Sequence, residues 1–127
     1  MKTRSIESSH APSASGGYSQ AYEVSDTTKT LYISGQIPVD KQDNVPTEFA
    51  DQARLVWQNI IYQLEAADMN LDNIVKHTTY LSNRKYREEN SQVRKEILKH
   101  RKPALTVVIA GIYDEAWLLE VDVMAAS

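Results

Sequence analysis

The stretch that decides the fold is Leu-Tyr-Ile-Ser-Gly-Gln-Ile-Pro, residues 31–38. Its first half is rich in β-branched and aromatic residues, which favour a strand. The strand is expected to end at Ser34 and Gly35, because a Ser-Gly pair commonly marks a turn. Two further apolar segments, 105–110 and 117–125, also have the composition of strands. The stretch therefore predicts one strand of a sheet that is assembled from distant parts of the chain.

Two segments between these strands have the apolar period of amphipathic helices. In the longer one, apolar residues recur at alternating steps of four and three positions: Phe49, Ala53, Val56, Ile60, Leu64 and Ala67. Thr47, which follows Pro46, is a suitable N-cap for this helix. The shorter helix is expected to begin after Ser82 or Asn83 and to end before Pro103, since proline disfavours helix at the preceding residue.

The remaining elements complete an α+β pattern. Residues 18–24 alternate loosely and are predicted to form a hairpin with the strand at 31–34. A strand rich in Val, Ile and Thr is predicted at 74–81. The predicted order is β-β-α-β-α-β-β, with two helices packed on one face of a sheet in a two-layer domain. A single domain is expected over residues 1–127, with residues 1–10 as a flexible N-terminal tail.

The last predicted strand indicates how the other face of the sheet is used. Alternate residues of segment 117–125 are apolar, whereas the residues between them mix Leu and Met with the carboxylates Glu120 and Asp122. A face of this composition is typical of an oligomer interface that contains a functional pocket, and solvated faces also mix residues in this way. Both interpretations stay open on the pattern alone.

The composition is that of an ordinary globular chain. No apolar run among its 127 residues reaches the roughly 20 residues needed to span a bilayer. The absence of cysteine excludes disulfides, thiolate nucleophiles and Cys-based metal sites. Residues 1–12 lack the apolar segment of a secretory signal. We therefore expect a cytoplasmic protein without membrane contact.

The basic residues are concentrated in one segment, although the net charge is −3. Between positions 84 and 102 lie eight of them: Arg84, Lys85, Arg87, Arg94, Lys95, Lys99, Arg101 and Lys102. Such a segment binds phosphates in some proteins, but it is more often the solvated face of an amphipathic helix. Only Tyr86, at its start, is available to stack on a base. Nucleic acid is therefore not expected as a partner.

An ordered set of short motifs resembles the reactive-intermediate deaminase family, also called the Rid or YjgF family. The set includes Ala11-Pro12, Tyr18, Ser34-Gly35-Gln36-Ile37-Pro38, Asn90, Pro103-Ala104 and Glu120. None of these motifs is specific alone, but their order over residues 11–125 is. The resemblance implies a chorismate-mutase-like fold, a homotrimer and ligand clefts between neighbouring subunits. It also implies hydrolysis of imines and enamines to a 2-keto acid and ammonia, without a metal or organic cofactor.

Carried over position by position, the resemblance implies two catalytic and five ligand-binding residues. Glu120 and Tyr18 are the expected catalytic residues, since imine hydrolysis needs a group that orients water and a group that passes a proton. The expected substrate-binding residues are Ser34, Gly35, Asn90, Leu105 and Val107. No metal site is expected, because His10, His77 and His100 are widely dispersed in the sequence.

The chain departs from the resemblance at the position that binds the substrate carboxylate. Leu105 stands where the deaminases have an arginine, and leucine offers no hydrogen bond. An unpaired carboxylate in a cleft costs several kcal/mol, about a thousandfold in binding. The sequence thus argues against 2-imino acids and favours a neutral or aromatic ligand. Arg101 and Lys102 are not expected to replace the arginine, because they precede the start of the strand.

Other interpretations stay open on the sequence alone. Glu120 is able to pair with a basic residue of a neighbouring subunit, Tyr18 to pack in an interface, and Gly35 to serve only the corner of its strand. At the level of function, the alternatives are a fully active deaminase for an unusual imine and an RNA-acting or chaperone-like interaction protein. Whether the chain is an enzyme is thus left undecided by its sequence.

Overall fold

A computed structural model describes residues 1–127 and contains six strands and two α-helices. The strands are β1 (Lys2–Ile6), β2 (Ala21–Ser25), β3 (Thr30–Gln36), β4 (Ile74–Leu81), β5 (Ala104–Ile109) and β6 (Leu119–Ala126). The helices are α1 (Phe49–Ala66) and α2 (Arg87–Leu98), with short 3-10 turns at Leu71–Asn73 and Arg84–Tyr86. Neither α-helix combines the length and the apolar character needed to cross a membrane. The predicted α+β class, with two helices packed on a mixed sheet, is confirmed.

Four strands form the central sheet in the order β3-β6-β4-β5. β6 pairs antiparallel with both β3 and β4, whereas β4 and β5 run parallel. A parallel pair requires a crossover connection, and α2 supplies it. β3 and β5 are therefore the two edges of this sheet, separated by three strand spacings or about 14 Å.

The core lies between the helices and one face of this sheet. Val56, Ile60 and Leu64 of α1 are 0% exposed, which confirms the predicted apolar stripe. The alternation predicted for the last strand is also observed, since Val121 and Val123 are buried while the residues between them are partly exposed. Each large apolar side chain buried in this way stabilises the fold by about 1.5–3 kcal/mol.

The predicted hairpin between the strands now numbered β2 and β3 is wrong. β2 pairs instead with β1, with Lys2 opposite Ser25, and β3 pairs with β6. The reason lies in the turn between β2 and β3. The backbone amides of Thr28 and Lys29 donate to the Ser127 carbonyl at 2.7 and 3.1 Å. These bonds hold the start of β3 against the end of the chain and turn it away from β2.

The segment predicted as a flexible tail, residues 1–10, contains strand β1. Arg4 donates from Nε and Nη2 to the two carboxylate oxygens of Glu23 at 3.2 and 3.1 Å. Lys2 forms a second ion pair with Asp26 at 3.2 Å. Four of the five side chains of β1 are exposed. The sequence of β1 therefore has no alternation of apolar and polar residues from which a strand could be predicted.

Ser19 attaches the β1–β2 ribbon to the β5 edge of the central sheet. Its backbone amide donates to the Pro103 carbonyl at 3.2 Å, and its hydroxyl donates to the Lys102 carbonyl. The Ser5 hydroxyl donates to the Ser19 hydroxyl at 2.6 Å. These bonds bring the neighbouring residue, Tyr18, to the β5 edge rather than to β3.

The helix starts differ slightly from the prediction. α1 is preceded by Glu48 at the N-cap position, one residue after the predicted Thr47, and Glu48 makes no side-chain cap bond. Asn83 does act as a cap, because its side-chain oxygen accepts from the Lys85 amide at 2.9 Å. It caps the 3-10 turn that leads into α2 rather than α2 itself.

His77 of β4 lies in the core without a hydrogen-bond partner. Its side chain is 0% exposed, and neither ring nitrogen has a partner. The ring packs edge-on against Trp57, with ring centroids 5.3 Å apart. Burial, together with the nearby positive charges of Arg94 and Lys76, lowers the pKa of His77 to about 3. The imidazole is therefore neutral in the folded protein at neutral pH.

This buried histidine makes the stability depend on pH. In the unfolded chain His77 takes up a proton near pH 6.5, whereas in the folded protein it does so only near pH 3. Its contribution to stability is therefore complete above about pH 6.5 and is lost as the pH falls toward 3. We expect His77→Leu to remove this loss. We therefore compare the free energy of unfolding of His77→Leu with that of wild type at two pH values. The difference should favour the variant by about 2 kcal/mol more at pH 5 than at pH 7.5.

Urea unfolding of both proteins at the two pH values measures this difference. His100→Leu, at an exposed histidine, is the matched control and should show no such gain at pH 5. The same stability difference between His77→Leu and wild type at both pH values would show that His77 does not resist protonation in the folded protein.

Candidate functional site

Two of the predicted ligand-binding residues, Leu105 and Val107, lie on the helix side of the sheet. In the parallel pairing of β4 with β5, Leu105 is opposite His77 and Val107 is opposite Thr79. His77 and Thr79 are buried beneath the helices, and paired residues of neighbouring strands share a face. Because β5 is an edge strand, Leu105 and Val107 reach a cleft at the border of the helix layer instead of the closed core.

This cleft, which we call the edge cleft, opens between β5, α2 and the segment before β2. It has a volume of about 650 Å³. Four predicted site residues line it: Tyr18, Asn90, Leu105 and Val107. The other lining residues are polar or charged: Ser15, Gln20, Arg87, Glu88, Ser91 and Arg94. A cleft with an apolar strand side and a polar helix side suits a small organic molecule that carries a polar group.

Tyr18 is half-buried at the mouth of the edge cleft. The Ser15 amide donates to the Tyr18 hydroxyl oxygen at 3.4 Å. Hydrogen bonds from the side chain and backbone of Ser15, with a smaller effect of the Arg94 charge, lower the pKa of Tyr18 below its usual value. A phenol with a lowered pKa gives up its proton more readily. Asn90, which is 3% exposed, presents its amide from α2.

Arg94 brings a buried positive charge to the edge cleft. It follows Asn90 by one turn of α2 and is only 6% exposed. Its Nη2 donates to the Ser91 hydroxyl at 3.3 Å, its Nε has no partner, and it takes part in no ion pair. Burial lowers the pKa of Arg94, yet a guanidinium stays protonated in proteins. The sequence reasoning missed this residue, although its spacing of four from Asn90 places both on one side of the helix.

The other predicted site residues, Ser34, Gly35 and Glu120, lie away from the edge cleft. Glu120 projects from β6 on the face of the sheet opposite the helices, and its side chain covers Gly35. A Cβ atom at Gly35 would meet the Glu120 carboxylate and lie 2.9 Å from its Cγ, so a larger residue at position 35 would displace the Glu120 side chain. Ser34 is exposed on β3, at the far edge of the sheet. We call these three residues the face group.

The sheet itself separates the face group from the edge cleft within one chain. Glu120 lies two strands from β5, about 10 Å away, and on the opposite face. Ser34 lies a further strand away. The seven residues selected from the sequence are thus divided into two groups, and a single chain does not bring Glu120 to Tyr18.

The face of the sheet around Glu120 combines acidic and apolar side chains. The Tyr80 hydroxyl donates to Asp122 Oδ2 at 3.3 Å, and the charge of Asp122, with burial and the charge of Glu120, raises the pKa of Tyr80. On the same face, Tyr32 lies opposite Met124 and is 73% exposed. Exposed aromatic side chains beside such a mixed face are typical of a surface that contacts another protein.

The basic segment of residues 84–102 does not form one charged surface. Arg94 is buried, and Arg101 pairs with Asp72 at 2.6 Å. Neither Arg101 nor Lys102 is among the residues that line the edge cleft. The basic residues of this segment therefore lie in different environments instead of on one continuous surface.

Comparison with known proteins finds similar chains over the whole length. A sequence profile of the family described as Endoribonuclease L-PSP matches residues 8–127. A RutC family protein from Pyrococcus horikoshii is 33% identical over 122 residues, which cover 94% of each chain. A structure of the conserved Rid protein family from Yersinia pestis has a TM-score of 0.84 over 100% of both chains, at 20% identity, and so shows the same fold. Escherichia coli TdcF with bound serine has a TM-score of 0.74 at 26% identity, over 98% of both chains.

Proposed function

Because the chain belongs to the endoribonuclease L-PSP (Rid) family, we propose that its edge cleft binds a small metabolite. The observation that carries this proposal is the cleft itself, since four residues selected from the sequence line one cavity of about 650 Å³. This volume is within the range of small-molecule sites in proteins. The serine bound to TdcF, a relative of 26% identity, supports a ligand of metabolite size.

The complete site, in this proposal, forms between neighbouring copies in a homotrimer. A neighbour that packs its face group against the β5 edge brings Glu120 close to Tyr18, which the sheet prevents within one chain. In a closed ring each edge cleft meets one face group, so three copies make three identical sites. Exposed apolar residues on both surfaces support this packing: Tyr32 beside the face group, and Val107, Val108 and Ile109 on β5.

The reaction that fits these residues is hydrolysis of an imine or enamine. Glu120 orients a water molecule and accepts its proton as the oxygen bonds to the imine carbon. Tyr18 donates a proton to the nitrogen, which gives a carbinolamine, and the protonated Glu120 then passes its proton to the same nitrogen. The carbon–nitrogen bond breaks as the new hydroxyl returns a proton to Tyr18, and a carbonyl compound and ammonia result. The lowered pKa of Tyr18 supports its part as donor. Asn90 orients the ligand from α2, while Leu105 and Val107 contact its carbon chain.

Ammonia release tests this function directly. Imines generated in situ by an amine oxidase or an amino-acid oxidase provide neutral and carboxylate-bearing substrates. We expect wild type to accelerate ammonia release from at least one of them by about 100-fold or more over buffer. Leu105→Trp, which fills the cleft at a partly exposed position, should lose the acceleration. If wild type accelerates the hydrolysis of neither class, the proposed enzymatic function is wrong.

A further inference from the structure

Building on the proposed function of the edge cleft, we infer that Arg94 binds a carboxylate group of the ligand. The positive charge then comes from helix α2 instead of from position 105. The cleft is thereby a site for small carboxylic acids, the class of ligand against which Leu105 alone argues.

The first support is that most N–H groups of Arg94 have no hydrogen-bond partner. A guanidinium carries five N–H donors, and only Nη2 has a partner, the Ser91 hydroxyl. Nε is buried and unpaired, although the whole residue is only 6% exposed. Burial of a charge without a counter-ion reduces stability. A residue that costs stability in the free chain is expected to find its partner in a bound molecule.

The second support is the position of Arg94 beside Tyr18. The charge of Arg94 acts on the Tyr18 phenol, so the two groups are neighbours in the cleft. A Cβ atom at Gly17 would lie 3.5 Å from Arg94 Nη2, and Gly17 has a φ of +75° that favours glycine. The backbone before Tyr18 thus passes close to the guanidinium.

This neighbourhood matches the chemistry of a 2-imino acid. In such a molecule the carboxylate is bonded directly to the imine carbon. A carboxylate held by Arg94 therefore places the imine nitrogen near the Tyr18 hydroxyl and the carbon chain against Leu105. A bidentate arginine–carboxylate pair also fixes the orientation of the ligand.

A single carboxylate fits better than a phosphate. Arg94 is the one buried cation among the lining residues, whereas the other arginine of the cleft, Arg87, is exposed to solvent. Phosphate sites are typically built from several backbone amides at a helix N-terminus or from several cations. The competing occupant is a carboxylate of a neighbouring copy, such as Glu120, which would neutralise Arg94 and abolish any preference for an anionic ligand.

Two probes of the same shape, butanoate and butanamide, test the role of Arg94. Their dissociation constants are measured by following the NMR signals of Leu105 and Val107. We expect wild type to bind butanoate about 10- to 100-fold more tightly than butanamide. Arg94→Met should abolish this preference, and Arg94→Lys, which keeps the charge without the planar fork, should reduce it. Arg101→Met, at the arginine paired with Asp72, is the matched control and should retain it.

The possible outcomes distinguish the inferred role of Arg94 from the proposed function of the edge cleft. Equal affinity of wild type for the two probes, as expected if a neighbouring copy already neutralises Arg94, overturns the inference and leaves the edge cleft as a small-molecule site. Tighter binding of inorganic phosphate than of butanoate overturns the assignment to carboxylates. Binding of neither probe at Leu105 and Val107 overturns both the inference and the proposed function. If Arg94→Met unfolds and Arg94→Lys keeps the full preference for butanoate over butanamide, Arg94 has only a structural role.

Discussion

Replacement of Glu120 by glutamine is expected to lower the rate of ammonia release by about 10²- to 10⁴-fold. Glutamine has nearly the same size and retains a hydrogen-bonding side chain, so it still covers Gly35. It cannot accept a proton from the attacking water, and this is the step assigned to Glu120. Because the side chain is not part of the core, the fold and the assembly should persist. The rate is measured in the imine assay, and the assembly is measured by sedimentation.

Asp122→Asn is the matched control for this variant. Asp122 lies two residues further along β6 on the same face, where it accepts a hydrogen bond from Tyr80 at 3.3 Å. Its replacement removes one negative charge from the same surface and should leave the rate close to that of wild type. An unchanged rate in Glu120→Gln would remove Glu120 from the mechanism. Equal losses in both variants would assign the effect to the charge of the whole face.

The sequence predicted those helices and strands whose buried faces require apolar residues at regular spacing. The stripe through Val56, Ile60 and Leu64 predicted α1, and the run of β-branched residues predicted β4 as Ile74–Leu81. Both elements are held by apolar contacts in the core, which select residue types at regular spacing. Alternation along β6 identified its buried face for the same reason.

The elements that were not predicted are held by hydrogen bonds and ion pairs, which require no regular spacing of apolar residues. β1 is largely exposed and joins β2 through backbone bonds and surface ion pairs. The choice of partner for β2 depends on the bonds of Thr28 and Lys29 to Ser127 and of Ser19 to Pro103. These bonds connect residues that are far apart in the sequence, and short polar segments carry no signal for them.

The residues expected at the site remain a prediction, and their arrangement in the structure could not be predicted from the sequence. Four of the five residues from Leu105 to Ile109 are apolar, so the segment has no alternation that assigns its faces. Only its register with β4, with Leu105 opposite His77, places Leu105 on the helix side. Arg94 was overlooked because it lies in a basic segment that resembles a solvated helix face. Its side chain lies close to Gly17, which is distant in the sequence, so the burial of Arg94 is a tertiary feature that the helix sequence does not show.

Trimers assembled from two impaired variants are expected to recover part of the activity that each variant lacks alone. Tyr18→Phe impairs the edge cleft but keeps an intact face group, whereas Glu120→Gln impairs the face group but keeps an intact edge cleft. Each variant alone should lack most of the activity, because every site contains one damaged half. In a trimer assembled at random from equal amounts of both, about a quarter of the sites combine two intact halves from different copies.

Ammonia release by the two variants, refolded together in equal amounts, is therefore the most direct test of a site shared between copies. The control is a mixture of the separately assembled variants, which should show only the sum of their residual rates. Co-refolding is expected to restore about a quarter of the wild-type rate. A co-refolded mixture no more active than that control would contradict the claim that Tyr18 of one copy works with Glu120 of another.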